Sequence, residues 1–458
     1  MIKLNHVSFS YQNGEANEMQ VLSDVSFQAS RGECVVLCGK SGCGKTTMLR
    51  LVNGLIPHFY AGKLEGNVLV GGQEMQQTPL SQTSRIVGSV FQNPRTQFFH
   101  LDTTGEMAFN LENQNVPRPQ MKKRLEEVSY RLNLQELMDR NIFELSGGEK
   151  QQIACGSVYA ALPSVIVMDE PSSNLDMESI RKLQKLIRMM KDEGRTVLIS
   201  EHRLWYLEGI ADRYVLLEDG RIRQEFTPET AADLSLEKRK ALGLRAVKRE
   251  QLYELRPDMG LIKQKSTGLE IDGLQFSRQM RQVLNVPHLE IPSGAIIAVI
   301  GENGAGKSTF SLCLSGLLKH TGTVRIDGKK IAHKKLPEQV YLVMQEAGHQ
   351  LFSDTVLGEL TLNNPALSEE KGKEVLTTLG LNGMENRHPG SLYGGQQQRL
   401  SLGTALCMKR KLMLYDEPTS GQDGENLLRT AELIRAANKQ AASTLIVTHD
   451  PELILRCA

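Results

Sequence analysis

The feature that most constrains this chain is a long internal repeat. The segment GKSGCGKT at 39–46 recurs as GENGAGKS at 301–308, an offset of 262 residues from Gly39 to Gly301. Three more segments recur in the same order: VFQNPRTQFF (90–99) with VMQEAGHQLF (343–352), LSGGEKQQ (145–152) with LYGGQQQR (392–399), and VMDEPSSNLD (167–176) with LYDEPTSGQD (414–423). Self-similarity at one long period marks a duplicated unit, so both halves must be read as one fold. The offset falls to 247 between Asp169 and Asp416, which makes the second copy 15 residues shorter over that interval. A chain of 458 residues has room for two units of ordinary domain size.

Each copy alternates short β-rich runs with amphipathic helical segments, as in ECVVLCG, the Gly-rich loop and TTMLRLVNGL. That is the pattern of an α/β domain with a mainly parallel sheet. VIVMD and KLMLYD each end on Asp-Glu, and TVLISEH and TLIVTH each end on His. Polar groups therefore collect at the carboxyl ends of strands, where open α/β sheets bind ligands. Between the copies, residues 223–267 hold 17 charged residues in 45, ten basic and seven acidic. With its helix formers, the stretch 226–267 reads as a largely helical, solvent-facing linker.

Composition narrows the function classes. With 54 Lys+Arg against 53 Asp+Glu, 40% hydrophobic and 23% charged residues, the chain is neither a strongly basic nucleic-acid binder nor mostly disordered. No apolar run approaches the ~18 residues that cross a bilayer. The start MIKLNHVSFSYQNGE has no apolar signal region, which leaves the cytoplasm as the expected compartment. The seven cysteines are scattered without metal-ligand spacing and suit a reducing compartment.

A Gly-x4-Gly-Lys-Ser/Thr loop between strand and helix cradles phosphate. Its glycines let backbone N–H groups approach the oxygens, the helix N-terminus adds a positive dipole, the Lys reaches the β/γ oxygens, and the hydroxyl ligates Mg2+. The cradle residues are Gly39, Lys40, Ser41, Gly42, Cys43, Gly44, Lys45, Thr46 and Thr47 in the first copy. In the second they are Gly301, Glu302, Asn303, Gly304, Ala305, Gly306, Lys307, Ser308 and Thr309. Cys43 fills a small-residue position, with redox sensing as the alternative. Asp169 and Asp416, closing apolar strands, are placed to hold the Mg2+ shell, and Glu170 and Glu417 to activate water for attack on the γ-phosphate. His202 and His449 are the candidate γ-phosphate contacts.

On these motifs the sequence resembles the ATP-binding cassette (ABC) ATPases over nearly all of both halves, with LSGGEKQ at 145–151 the most specific sign. The resemblance implies two tandem α/β P-loop NTPase domains, 1–225 and 268–458. Each would have a mainly parallel sheet core, an antiparallel β portion and a helical subdomain, and would hydrolyse ATP with Mg2+. It also implies that the two cassettes close head to tail, each ATP lying between the P-loop of one and the signature of the other. That makes Ser146, Gly147, Gly148, Tyr393, Gly394 and Gly395 ATP contacts. Gln92 and Gln345 match the loop glutamine that joins Thr46, Ser308 and the two Asp residues around Mg2+, and Ser173 to Asp176 and Ser420 to Asp423 match the D-loops. A second glutamine five positions on, Gln97 and Gln350, followed by Phe98-Phe99 and Leu351-Phe352, is similar to the energy-coupling-factor importers; plain surface glutamines are the alternative. That narrower resemblance implies vitamin or transition-metal uptake, with a transmembrane scaffold and a small substrate-binding membrane protein on other chains. It places this chain on the cytoplasmic face of the membrane. The rival is a soluble tandem ABC ATPase acting on ribosomes.

The two sites should differ. Tyr393 stands where Ser146 would offer a hydroxyl to the γ-phosphate, a charge-assisted bond worth about 1.5–3 kcal/mol. In the alternative the signature glycines carry that contact and the Tyr is tolerated. Tyr11 of FSY fits the adenine-stacking aromatic, with an unliganded edge-strand tyrosine as the alternative, whereas Arg278 occupies the matching place in the second copy. Hydrolysis is therefore expected mainly at the site of Lys307, Ser308, Gln345, Asp416, Glu417 and His449. The first copy also runs on through ADRYVLLEDGRI after His202, a stretch with no counterpart after His449. Either a neighbour covers that edge or the chain is shortened there.

Overall fold

Two kinds of strand patterning separate into two kinds of sheet. The computed structural model describes residues 1–458 apart from 14–16, 255–266, 280, 363, 365, 440 and 442. The chain divides into two units, Met1–Gln251 and Leu252–Ala458. Strands of the first are β1 (Ile2–Asn13), β2 (Asn17–Ala29), β3 (Cys34–Cys38), β4 (Gly62–Val70), β5 (Gln73–Glu74), β6 (Val87–Val90), β7 (Val165–Asp169), β8 (Thr196–Ser200), β9 (Arg213–Glu218) and β10 (Arg221–Phe226). The half-apolar β1 buries Ile2, Leu4, Val7 and Phe9 from one face and pairs antiparallel in the order β2-β1-β4-β5. CVVLC of β3 is apolar throughout and buried throughout, because it is a central strand of the second sheet. That sheet has the order β10-β9-β3-β8-β7-β6 and is parallel except for the β9–β10 hairpin. The helix Lys45–Val52 puts Met48, Leu49, Leu51 and Val52 into the one core shared by both sheets.

The second unit repeats this plan with β11 (Thr267–Arg278), β12 (Arg281–Pro292), β13 (Ile296–Val299), β14 (Thr321–Ile326), β15 (Lys329–Ile331), β16 (Val340–Val343), β17 (Leu412–Asp416) and β18 (Ser443–Val447). Its antiparallel sheet is β12-β11-β14-β15, and its parallel sheet has four strands, β13-β18-β17-β16. β13 corresponds to β3 but lies at an edge, and its four residues are only half buried. Each unit adds helices on the far side of its parallel sheet, including Gly147–Ala160 and Met177–Asp192 in the first and Gly394–Cys407 and Gly424–Asn438 in the second.

The expected solvent-facing linker is corrected. From 226 to 254 the chain forms three short helices, Pro228–Ala232, Leu236–Ala241 and Glu250–Tyr253, and the segment to Gln251 belongs to the first unit. Leu234, Leu244, Ala246 and Val247 are buried along with Arg239, Arg245 and Gln251. Charge density misleads here because the apolar spacing inside the charged run, not the run itself, decides which side chains dock. Gln251 shows how the polar ones are satisfied: it accepts from Val247 N–H at 2.9 Å and donates to the Ala232 carbonyl at 2.7 Å. The rest of the expected linker, 255–266, lies outside the described residues.

Candidate functional site

Both Gly-rich loops turn from a parallel strand into a helix through left-handed glycines. Gly44 (φ 106°) and Gly306 (φ 94°) sit at the N-caps of Lys45–Val52 and Lys307–Leu314, a conformation glycine adopts without steric penalty. Lys45 Nζ donates to the carbonyls of Gly39 (3.0 Å) and Lys40 (2.9 Å), and Lys307 Nζ does the same to Gly301 (2.7 Å) and Glu302 (2.8 Å). Each ammonium thus curls over its own loop, where a phosphate would meet it. Cys43 is buried beside Lys45, and burial pushes its thiol pKa up, which keeps it an unreactive small side chain. Ser41, Gly42, Glu302 and Gly304 are exposed on the loops, while Asn303 and Ala305 complete the second cradle.

The next group comes from the strand ends. Thr46 Oγ1 donates to Asp169 Oδ1 at 3.2 Å, with Asp169 closing β7. Desolvation by burial, and then the neighbouring Glu170, push the Asp169 pKa up to about 6. Burial likewise raises Asp416, which closes β17, and its Oδ1 is a buried acceptor without a hydrogen bond. A hydroxyl and a buried carboxylate in need of positive charge are hard oxygen donors that fit Mg2+, which is held by few protein ligands beside substrate phosphates. Thr46 with Asp169, and Ser308 with Asp416, would hold it.

Glu170 and Glu417 both adopt positive φ, 43° and 45°, which is uncommon for a residue with a side chain and clusters at functional sites. Each backbone N–H bonds across to the adjacent strand end, Glu170 to Ser200 O (2.8 Å) and Glu417 to Val447 O (2.9 Å), so the strain is held in place. Glu170 accepts from Gln92 Nε2 at 2.7 Å and lies 3.3 Å from His202 Nε2. Glu417 accepts from Thr448 Oγ1 (3.3 Å) and lies 3.7 Å from His449 Nε2. The structure therefore gathers Lys45, Thr46, Gln92, Asp169, Glu170 and His202 in the first unit. In the second it pairs Glu417 with His449 and closes the Lys307 loop, with Gln345 following β16.

Tyr11 is tied to the first cradle, its hydroxyl 3.2 Å from Thr47 Oγ1 and accepting from Arg50 at 3.0 Å. Arg278, its repeat partner, pairs in register with Arg281 at the end of β11. Thr309 lies in the helix after the second loop. Ser146 caps the helix Gly147–Ala160 by accepting from Glu149 N–H at 3.3 Å, and Gly148 follows it on that helix. Tyr393 caps Gly394–Cys407 through its backbone N–H, which Gln396 Oε1 accepts at 3.1 Å, and the residue is 69% exposed; Gly394 and Gly395 have open space where a Cβ would be. Asp176 and Asp423 are N-caps of the helices that follow.

Gln97 and Gln350 are not plain surface residues. Gln97 Oε1 accepts from Phe91 N–H at 3.3 Å, and Gln350 Oε1 from Met344 N–H at 3.1 Å, so each staples the loop one residue before Gln92 or Gln345. A Gln97→Ala protein should exchange the Phe91 amide roughly fivefold faster, the effect of losing about 1 kcal/mol. An unchanged rate by hydrogen-exchange mass spectrometry would show that the staple carries nothing.

Sequence reasoning missed two buried carboxylates. Glu106 accepts from the N–H groups of Phe99 (2.8 Å) and His100 (3.0 Å), and Glu359 from those of Phe352 (2.8 Å) and Ser353 (2.7 Å). The recurrence of Gly-Glu at 105–106 and 358–359 was the available signal. These bonds hold Phe99 and Phe352 at 75% and 77% exposure. In the first unit a groove of about 610 Å3 runs from Phe59, Tyr60 and Phe99 past Gln92 to Thr46 and Asp169.

The ABC transporter family matches residues 22–173 and 284–420. A Treponema denticola protein provisionally named ABC transporter ATP-binding protein is 42% identical over 99% of this chain and 93% of its own length. A Bacillus subtilis protein provisionally named HMP/thiamine import ATP-binding protein YkoD is 31% identical over 99% of this chain and 88% of its own. The solved complex of an archaeal ribosomal stalk protein with the ribosome recycling factor aABCE1 aligns over 98% of this chain and 86% of its own, with TM-score 0.66 and 21% identity, a likeness of fold.

Proposed function

The chain belongs to the ABC transporter family of ATPases, and from that premise we propose that it is the energy-coupling subunit of a membrane importer of the energy-coupling-factor type. Its two ATPase domains bind and hydrolyse ATP. Closure around two ATP molecules and reopening after hydrolysis would then drive a transmembrane scaffold that carries a small substrate-binding membrane protein. The chain itself sits peripherally on the cytoplasmic face; among the described residues no helix is long and apolar enough to cross a membrane. The import name of a relative aligned over almost the whole chain supports vitamin-class cargo, with transition-metal uptake as the other member of the same reading.

The observation that carries the coupling role is the groove. One wall is Gln92, which donates to Glu170 beside the first Gly-rich loop; the other is an aromatic shelf with Phe59 71% and Phe99 75% exposed. Ring stacking of Phe99 on Phe109 at 4.9 Å keeps the shelf rigid. Exposed apolar surface of this kind marks a docking site, and a helix seated on it would press on the loop that carries Gln92 and so be felt at the nucleotide held by the first Gly-rich loop. The shelf is larger in the first copy, where IPHFYA at 56–61 has no equivalent between Gly316 and Gly322.

Affinity purification from gently solubilised membranes tests the reading. Polytopic membrane chains should co-purify with wild type and be lost, at least tenfold, with Phe59→Ala/Phe99→Ala, a change of about 1.4 kcal/mol or more at an aromatic anchor. ATPase activity of the purified variant should persist. Co-purification of ribosomes without membrane proteins would overturn the importer reading in favour of a soluble tandem ATPase.

A further inference from the structure

We propose that Thr448 is a positioning residue for Glu417, the carboxylate that would activate water in the second copy, and that it acts through a hydroxyl which the first copy replaces with a carboxylate. The inference rests on that role of Glu417. Thr448 is fully buried and directly precedes His449. Its Oγ1 accepts from Asp450 N–H at 3.1 Å and donates to Glu417 Oε2 at 3.3 Å. A hydroxyl has a single proton, and the bond it accepts from Asp450 turns that proton toward Glu417. His449 N–H donates to the same Oε2 at 3.4 Å. Two donors from one segment thus fix Oε2, and Oε1 lies on the side of His449 Nε2, at 3.7 Å.

Asp450 anchors Thr448 from behind. It is buried, its Oδ2 accepts from Thr419 Oγ1 at 2.9 Å, and its Oδ1 accepts from Glu452 N–H at 3.1 Å. Thr419 lies two residues after Glu417, so this carboxylate clamps the turn that follows Glu417 to the segment carrying His449. The backbone is tied as well, Glu417 N–H donating to Val447 O at 2.9 Å while φ stays at 45°. The backbone therefore sets where Glu417 begins, and Thr448 sets where its carboxylate points. A reacting group displaced by even a small distance loses rate without losing substrate.

The internal repeat supplies the contrast. Glu201 and Arg203 stand where the second copy has Thr448 and Asp450, and Ser172 stands where it has Thr419. Glu201 is buried and uses both oxygens as acceptors. Oε1 takes the N–H groups of His202 (2.8 Å) and Arg203 (3.1 Å), and Oε2 takes Ser172 N–H (3.3 Å) and the Tyr206 hydroxyl (2.9 Å). Arg203 in turn donates to Ser172 O at 3.3 Å. The same two segments are joined in both copies with the chemistry exchanged, an anion and a cation in the first, a hydroxyl and an anion in the second. A carboxylate that accepts four bonds has no proton to offer Glu170. The first carboxylate takes a hydrogen bond from the loop that carries Gln92, at 2.7 Å, and the second takes its bonds from the segment that carries His449.

Thr448→Val keeps the shape of the side chain and removes the hydroxyl, whereas Thr448→Ser keeps the hydroxyl. In steady-state ATP hydrolysis by the full chain, Thr448→Val should lower kcat about tenfold, the low end for losing one hydrogen bond to a charged group, with KM for ATP within about twofold of wild type. Thr448→Ser should bring kcat back to within about threefold of wild type, and both variants should bind as much nucleotide as wild type at equilibrium. An unchanged kcat with Thr448→Val, a loss carried by KM alone, or a Thr448→Ser protein as slow as Thr448→Val would overturn the proposal. Glu417→Gln, assayed in parallel, separates the premise from the inference. Full turnover by Glu417→Gln would remove the role of Glu417 and the proposal with it, whereas loss with Glu417→Gln and none with Thr448→Val would remove the role of Thr448 alone. None of these readouts depends on transport, so they stand or fall separately from the importer reading.

Discussion

A Glu417→Gln protein should turn ATP over at least 100-fold more slowly than wild type, the range for removing a general base, while Glu170→Gln keeps turnover within about threefold. Both glutamates are equipped to act. They share the positive φ and the cross-strand N–H bond, and Glu170 is the better anchored of the two, through Gln92 and His202. The inequality is proposed to come from the opposing signature in the closed ATP-bound state. In that proposed state Ser146, whose oxygen accepts from Glu149 N–H, would still have its hydroxyl proton to offer to the phosphate held by Lys307. Tyr393 has no oxygen at that distance from its backbone, and the ring of this exposed residue would have to be displaced from a phosphate facing Lys45. Losing one charge-assisted bond of about 1.5–3 kcal/mol accounts for a rate ratio of roughly 10- to 150-fold. Steady-state phosphate release by the two purified variants decides it: equal losses, or loss only with Glu170→Gln, would sink the proposed asymmetry.

Alanine at Gly39 should unfold or empty the first cradle, whereas the same change at Gly301 should be tolerated. Gly39 (φ 134°) and Gly301 (φ 151°) are equivalent in sequence and both in the region that favours glycine. A Cβ on Gly39 would lie 2.2 Å from the Leu217 carbonyl oxygen, which belongs to β9 and cannot move without tearing the sheet. On Gly301 the nearest atom would be Ala305 Cβ at 3.8 Å, because β13 has no strand on that side among the described residues. The first substitution is expected to cost more than about 4 kcal/mol, a large share of a domain's 5–15 kcal/mol. The second should cost only backbone strain of about 1–3 kcal/mol. Scanning calorimetry with a count of bound nucleotide reads both effects. Gly39→Ala should lose one transition and one ATP, and Gly301→Ala should keep both; matching behaviour of the two variants would show that β9 does not buttress the loop.

The cradle, the strand-end carboxylates and the duplication were legible because each depends on residue types at short fixed spacing. Lys45 needs only the six residues before it to reach the Gly39 carbonyl, and Asp169 and Glu170 are adjacent at the end of one apolar strand. The buried face of the charged segment before Gln251 was not legible, since Leu234, Leu244 and Val247 look unremarkable within a run of charges until the surface they cover is known. Glu106 was missed for a similar reason. A glutamate becomes a structural acceptor only when the chain brings two N–H groups, seven and six residues upstream, into its reach.

The sequence by itself determined the family, the two-unit plan and the phosphate chemistry, because a phosphate-binding turn is local and its residues cannot be exchanged without losing the geometry. Only the tertiary structure decided how unlike the two copies are in their surroundings. It placed β9 against one Gly-rich loop, with no described strand against the other, and joined the helices Gly394–Cys407 and Gly424–Asn438 of the second copy through Arg399 and Asn426, where the first copy has Gln152 and Ser179. Those differences arise between segments far apart in the chain, where burial and steric contact, not spacing along the sequence, set the outcome.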